Sequence, residues 1–363
     1  MGYTQPQADR LEELGGRILL NTTAERLVAR PLEDGRQEVL GVVVTDNKSG
    51  ETSYIKAAKA VLLGAGGFDY NDDMKAQYLD IPSPCTFQVE TCDGKGIRMA
   101  QGVGADLAMM CYGWGNCAYK AIGEEAYANR VVDANIAPLC YQRDTSSMWI
   151  NRYGRRFCDE AASYDSFWYG FGNGRETTGE MLYTNIPAWY VCDQGNRNRN
   201  AGGDGVATPE KGGNLWGVGA ADEVPEWVIQ ADTLEELAEK IGVPAENLIA
   251  TVDAYNQSVE EGGTDEFGRS YDDSRDTYKL AVNKIEGDHF YAVPLHALCV
   301  MTLGGITTNE QMQVLDESGN AIPGLYAAGV VCEWNCAAGA TVLSAMTLGR
   351  IAGRSAAAEA SAA

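Results

Sequence analysis

The chain of 363 residues carries 28 Lys and Arg against 51 Asp and Glu, a formal charge of −23, which argues against nucleic acid and anionic membrane surfaces as partners. Its 45% apolar content and 18 Tyr fit a well-cored protein of two domains, or one large domain with an insertion. No run is long enough to span a bilayer, and the polar start MGYTQPQADRLEELGG is not a secretory signal, so the expected compartment is the cytoplasm.

Ten cysteines are scattered from Cys85 to Cys336 with no C-x-x-C pair, and His289 and His296 are the two histidines. No zinc or iron–sulfur site is expected, and the thiols read as buried groups in a reducing compartment. In chain order, Asp9–Leu14 reads as the end of a helix closed by Gly15-Gly16, and Arg17–Leu20 as a strand. Glu25–Arg30 and Gln37–Thr45 read as strands around the turn Glu33-Asp34-Gly35. Ala58–Leu63 is an apolar strand that ends at Gly64-Ala65-Gly66-Gly67. There the backbone either passes close to a ligand or makes a tight strand-to-helix turn. Gly94–Ala100 begins a helix.

From Tyr112 to about Pro294 the texture is less periodic and richer in Trp, Tyr, Gly and Asn. Within it, Asp232–Glu236 forms a capping-box start for LEELAEKIG. Pro244 opens a second helix whose Leu248, Val252 and Tyr255 share one face, and Gly262-Gly263 ends it. Phe290–Val293 is a strand returning to the first domain, and Gly319 marks a hairpin-type turn. Then PGLYAAGVVCEWNCAAGATVLSAMTLGRIAG runs from Pro323 to Gly353. Its apolar run Leu325–Ala328 meets Gly329, and Gly339-Ala340-Thr341 opens a helical run of small residues, which implies that something comes close to the backbone. The outer segments 1–111 and 295–363 read as one domain, and 112–294 as an insertion.

The motifs AVLLGAGGFD, GKGIRMAQGVGADLAMM, INRYGRRFCDE, LEELAEKIG…LIATVDAYNQ, HFYAVPL, LGGITTN and PGLYAAG…GATVLSAMTLGRIAG occur in this order. Together they resemble the flavoprotein family that includes soluble fumarate reductases, urocanate reductases and 3-ketosteroid dehydrogenases, over nearly the whole chain. The resemblance implies an α/β fold. An FAD-binding domain of glutathione-reductase type (1–111 and 295–363) would carry an inserted α+β capping domain (112–294). FAD would be the cofactor, a small-molecule substrate would sit between cap and flavin, and an electron donor of unknown identity would serve it. It further implies that Ala24 meets adenine through its backbone, that Ala65, Gly66 and Gly67 flank the cofactor, and that Gly329, Ala340, Thr341 and Val342 lie by the flavin. A helix N-terminus carries about half a positive charge and free N–H groups, so one aimed at the flavin N1–C2=O edge favours the anionic reduced form.

Departures from the family narrow the expectation. The family's G-x-G-x-x-G is absent; GVGADL, 102–107, has the wrong third position and no preceding strand. The sequence is therefore expected to lack the first βαβ unit. The alternative to a working enzyme is a truncated, non-catalytic fragment, or one subunit of a split flavoprotein whose partner polypeptide supplies the missing nucleotide-binding segment. On the substrate side, Tyr164 stands where fumarate reductases place a proton-donating arginine, Val300-Met301 replaces a histidine, and WNCAAGAT lacks the carboxylate-clamping arginine. A dicarboxylate would lack its charge-assisted partners.

Tyr164 and Gly339 instead match the ketosteroid-dehydrogenase branch, with Asn335 in place of that branch's second tyrosine. The implied reaction is hydride transfer between flavin and an activated C=C bond of a carbonyl-bearing, ring-containing substrate: an enone or enoate reductase, or a ketosteroid-type dehydrogenase. Tyr164 would move the proton, and the Gly339 N–H with Asn335 would polarise the carbonyl. An ordinary tyrosine, with a pKa of about 10, serves better as an acid than as a base. Trp334, Tyr169, Trp168 and Tyr112 read either as an aromatic wall for the ring or as core and surface aromatics, and His289 stands as a second proton donor.

Overall fold

Alternating valines explain the first sheet: in QEVLGVVVTD, Val39 and Val43 bury the face that one strand presents to the core. The computed structural model describes residues 4–83, 85–86, 88–119, 147–160, 167–174, 183–200, 224, 228–271, 282–333 and 340–359. In chain order the elements begin α1 (Thr4–Glu13), β1 (Thr22–Pro31), β2 (Gln37–Asp46), β3 (Thr52–Lys56), β4 (Val61–Leu63), α2 (Asp72–Tyr78), β5 (Cys85–Thr86), α3 (Lys95–Gln101), β6 (Leu107–Ala108) and β7 (Gly113–Tyr119). They continue with β8 (Ser147–Asn151), α4 (Phe167–Gly172), β9 (Ala188–Asp193), α5 (Gln194–Asn200), β10 (Ile229–Ala231), α6 (Leu234–Ile241) and α7 (Ala245–Glu261). The last are β11 (Phe290–Thr302), β12 (Gly305–Ile306), β13 (Gln313–Leu315), β14 (Ala321–Ala327) and α8 (Thr341–Ala358). Among the described residues, no helix is long and apolar enough to cross a membrane.

The chain divides into two compact units, 1–66 with 95–108 and 305–363, and 67–94 with 109–304. The first unit holds an antiparallel sheet β1-β2-β3 and a second sheet β13-β14-β4 in which β14 and β4 run parallel. The hairpin turn expected at Glu33-Asp34-Gly35 is present, with Gly35 at φ +88°. Arg17–Leu20, expected as a strand, is irregular, and Ile18, Leu19 and Leu20 are exposed. A short apolar run becomes a strand only where a neighbouring strand pairs with it, and none of the described strands does so here. β3 escaped the sequence reading because TSYIK has no apolar run; β2 supplies its register.

In the second unit, β11 is the hub. It pairs with β9, β7 and β10 antiparallel and with β5 in parallel. Only its first four residues were legible as a strand. Period-two alternation splits the core into two layers. Trp149, Tyr190, Tyr291 and Val293 point to one side with Trp168 and Phe171. Met148, Ile150, Val191 and Ala292 point to the other, against Leu237, Leu248, Val252 and Tyr255 of α6 and α7. Residues 67–94 and 295–304 pack in this unit, whereas the sequence reading placed them with the first domain. The reason is the bonding of β5 and Phe68–Asp69 to β11.

The capping box starts α6: Thr233 Oγ1 accepts from Glu236 N–H at 3.1 Å, and Asp232 N–H donates to the Glu236 carboxylate at 3.1 Å. Gly242, in the left-handed region at φ +74°, closes the helix.

A buried ion network fixes the segment Gly154–Glu160. Arg156 binds Glu160 at 2.6 Å and Asp265 at 2.7 Å, and the fully buried Arg269 reaches the same Glu160 oxygen at 3.0 Å. The other Glu160 oxygen accepts the Trp149 N–H at 3.0 Å. Burial alone would raise the Glu160 carboxyl, but the Arg156 and Arg269 guanidiniums outweigh it and hold it below the usual range. A depressed carboxylate contributes stability that is present above its ordinary pKa and lost as pH falls. Glu160→Gln leaves two buried guanidiniums short of their counter-charge, so urea unfolding at pH 7 should show a loss of about 3–5 kcal/mol. The gap between wild type and variant should narrow as the pH is lowered toward 3; an unchanged gap would show that the charge on Glu160 does not stabilise the fold.

Candidate functional site

The site is built on the carboxyl ends of two adjacent parallel strands. β14 and β4 pair through Leu325–Val61, Tyr326–Leu62 and Ala327–Leu63, and the Ala328 N–H continues the ladder to Leu63 O at 2.9 Å. Each strand then breaks at a glycine in the left-handed region, Gly66 at φ +77° and Gly329 at φ +85°. Only glycine takes that conformation without strain. A Cβ on Gly329 would meet no atom of the described residues within 4 Å. Ligands of open α/β sheets bind outside the carboxyl ends of parallel strands, where loops separate.

Helix α3 starts beside this turn. A Cβ on Gly96 would lie 2.7 Å from the Ala65 Cβ and 3.2 Å from a Val331 methyl, so the helix packs against both loops because Gly96 has no side chain. The structure thus brings together Ala65, Gly66 and Gly329 of the residues expected at a cofactor. Ala24 lies on β1 opposite Val44, at an irregularity that precedes Arg26. The adjacent Glu25 binds Lys95 of α3 at 3.3 Å. Gly67 opens the other unit.

Ala340 caps α8 with φ −104° and no side-chain bond, and Thr341 and Val342 form its first turn. Ala340 has no side chain to cap the first-turn N–H groups, and among the described residues no side-chain cap is seen there. Val342 is 58% and Leu343 69% exposed. Toward its other end the same helix buries Ala352, and packs Leu348 and Ala356, against Tyr326 and Ala328. The small residues in that half therefore serve packing on β14. At the start of the helix Ala340, Thr341 and Ser344 are partly buried, whereas Val342 and Leu343 are exposed.

The loop after Gly329 carries Cys332, whose thiol burial pushes up to about 12. It is a packing group, not a nucleophile. Glu333 follows; burial, then the nearby Asp106 carboxylate, raises its carboxyl. Tyr164, Asn335 and Gly339, expected to carry the chemistry, and Trp334 lie outside the described residues.

In the second unit, Trp168 is core: it is fully buried, and a Cβ on Gly115 would sit 2.4 Å from its indole. Tyr112 and Tyr169 are half exposed, and the Tyr169 hydroxyl donates to Gly113 O at 3.0 Å. Partial burial raises the Tyr169 phenol, with Tyr112 and Cys111 adding to the effect. His289, the second candidate proton donor, is exposed, and its Nδ1 lies 2.7 Å from an Asp232 carboxylate oxygen. The sequence reading missed Gly96, although a glycine on each side of Lys95 at a helix start signalled close packing. It also missed Asp69 and Thr302, which no period or motif marks.

The strand ends fit the close approach of a flat cofactor: each is followed by a left-handed glycine, and no described atom lies within 4 Å of a Cβ built on Gly329. The comparisons with known proteins agree with this fit. A 3-oxosteroid 1-dehydrogenase of Mycolicibacterium smegmatis is 30% identical across 94% of this chain and 59% of that protein. A 4-oxocyclohexanecarboxylate 2-dehydrogenase of Sinomonas cyclohexanicum is 31% identical across 95% of this chain and 58% of that protein. The crystal structure of 3-ketosteroid delta1-dehydrogenase from Sterolibacterium denitrificans in complex with 1,4-androstadiene-3,17-dione superposes with a TM-score of 0.75 at 28% identity, covering 96% of this chain and 61% of that one. The chain spans about three fifths of the length of these relatives. The family model described as FAD binding domain matches residues 4–342, and the chain belongs to that FAD-binding family.

Proposed function

We propose that this chain is the flavin-facing and substrate-facing part of an oxidoreductase that acts on an activated C=C bond beside a carbonyl, in a ring-bearing substrate. One observation carries the reading: the adjacent parallel strands β4 and β14 are each followed by a left-handed glycine, Gly66 and Gly329, and no described atom lies within 4 Å of a Cβ built on Gly329. The two dehydrogenases named above act on ring ketones by their names, and the third relative was solved with a steroid dienone. Ala65, Gly66, Gly329 and the first turn of α8 at Ala340, Thr341 and Val342 would hold the isoalloxazine, and Ala24 and Gly67 would border the rest of the cofactor. Bound FAD supplies the redox chemistry, exchange of a hydride at its ring nitrogen with a substrate carbon.

The remaining work falls to side chains of this chain. Tyr164 gives or takes the proton at the neighbouring carbon. The Gly339 N–H and the Asn335 amide donate to the carbonyl oxygen as charge develops there. Tyr112 and Tyr169 offer apolar ring faces. Residues 112–294 act as the cap over the substrate, and the electron donor is a separate molecule.

A second reading concerns the pyrophosphate of FAD. The sequence holds no G-x-G-x-x-G, and the first unit exposes Ile18, Leu19, Leu20, Leu62, Val342, Leu343 and Met346. Leu62 lies on β4, which ends its sheet among the described residues. Exposed apolar side chains beside an open parallel strand fit a further polypeptide that adds a strand and a glycine-rich turn. On this reading the chain alone binds FAD weakly, because dinucleotide affinity leans on those pyrophosphate contacts.

Two measurements follow. Titrating the purified chain with FAD and reading flavin fluorescence should give no tight stoichiometric quenching; tight quenching without a second polypeptide would overturn the second reading. In a flavin-loaded form, Tyr164→Phe should slow substrate-dependent reoxidation of prereduced flavin by about 10²–10⁴-fold, with little change in KM. Equal rates would remove Tyr164 as the proton donor.

A further inference from the structure

Asp69 follows the glycine turn 64–67 by two residues and is fully buried. Its Oδ1 accepts from the Thr302 N–H at 2.5 Å and faces the Cys299 thiol at 3.6 Å. Its Oδ2 is buried with no hydrogen-bond partner among the described residues. Thr302 answers in kind, for its hydroxyl oxygen accepts from the Phe68 N–H at 3.2 Å. Gly67 is held as well, its carbonyl accepting from Gly94 N–H at 3.0 Å. Phe68–Asp69 and the end of β11 are therefore joined by a reciprocal pair of bonds, one in each direction.

A buried carboxylate whose second oxygen has no donor is costly as a charge and much less so as a neutral acid. The titratable groups around it are Cys299 on β11, and Cys92 and Lys75 on its own segment. Lys75 is engaged elsewhere: its ammonium binds Ser83 O at 2.9 Å and Asp72 at 3.2 Å.

We propose that Asp69 is the positioning residue of the glycine turn: its carboxyl fixes the turn's exit, Gly67–Asp69, to the end of β11, and does so best in its neutral form. Burial, opposed by the bonds from Thr302 and Cys299, pushes the carboxyl up to about 6. A folded-state pKa above the ordinary Asp value means the fold prefers the protonated form. The clamp's contribution is full below the ordinary Asp pKa of about 4 and is lost as pH rises from there through about 6. The role depends on the cofactor reading of the turn, but its test uses the unloaded chain and no activity. Failure of the test would leave the oxidoreductase reading standing.

Asp69→Asn keeps the acceptor for Thr302 and cannot ionise, whereas Asp69→Ala removes both. Thermal unfolding should place wild type and Asp69→Asn closest together near pH 4, where Asp69 is protonated in the folded chain and largely so in the unfolded one. By pH 7.5 Asp69→Asn should lead by about 2–4 °C. Hydrogen exchange read on the peptide covering Gly64–Asp69 should be several-fold faster in Asp69→Ala than in wild type, and restored toward wild type in Asp69→Asn. A Tm difference between wild type and Asp69→Asn that stays constant from pH 4 to 7.5 would overturn the neutral-acid clamp. Unchanged exchange in a folded Asp69→Ala would overturn its hold on the turn.

Discussion

The first unit depends on one short parallel pairing. Three residues of β4 and three of β14 lie side by side, and the ladder runs one step further, from Ala328 to Leu63. Because the strands are parallel, their carboxyl ends coincide. Whatever follows each strand must turn away at the same level, and Gly66 and Gly329 provide those turns. Separate loops leaving from one edge open a cleft without any side chain being dedicated to it. Helix α3 closes in through Gly96, and α8 lies against β14 through Ala352 and Ala356. The start of α8 at Ala340, which has no capping side chain, and the Gly329 backbone, clear of other described atoms, then follow from strand direction and residue size together.

The second unit is organised by a different constraint. β11 is 13 residues long and takes ladder bonds on both edges, so the segments on either side of it in sequence are drawn onto it. The ion network of Arg156, Glu160, Asp265 and Arg269 adds a polar knot to this apolar body. Such a knot gives little net stability over well-packed apolar residues, yet breaking one partner is expensive. Its effect is to fix where Gly154–Glu160 lies, which is the segment leading to residue 164.

Much of this was legible in the sequence where the chain speaks in local terms. The Thr233 cap, the face of Leu248, Val252 and Tyr255, the glycine stops at Gly242 and Gly262, and the turn at Gly35 are all set by neighbours three or four residues away. The glycines at 64–67 and 329 announced a close backbone approach, and the structure sets Gly66 and Gly329 at neighbouring strand ends. Legibility failed where long-range pairing decides. Arg17–Leu20 looks like a strand but has no described partner, whereas TSYIK does not look like one and pairs with β2. The alliance of 67–94 with β11 rests on Asp69, Thr302 and Ser83, whose partners lie more than 200 residues away. Trp168 gave no sign that two glycines, Gly113 and Gly115, had been cleared to receive it.

The account's central claim is that the cofactor lies over the ends of β4 and β14. The most direct measurement is photolabelling with an azidoflavin form of FAD at saturating concentration, followed by peptide mapping. The account predicts that labels concentrate in peptides covering 64–67 and 325–343, and that excess FAD suppresses them. Suppressible labelling confined to peptides elsewhere in the chain would contradict it.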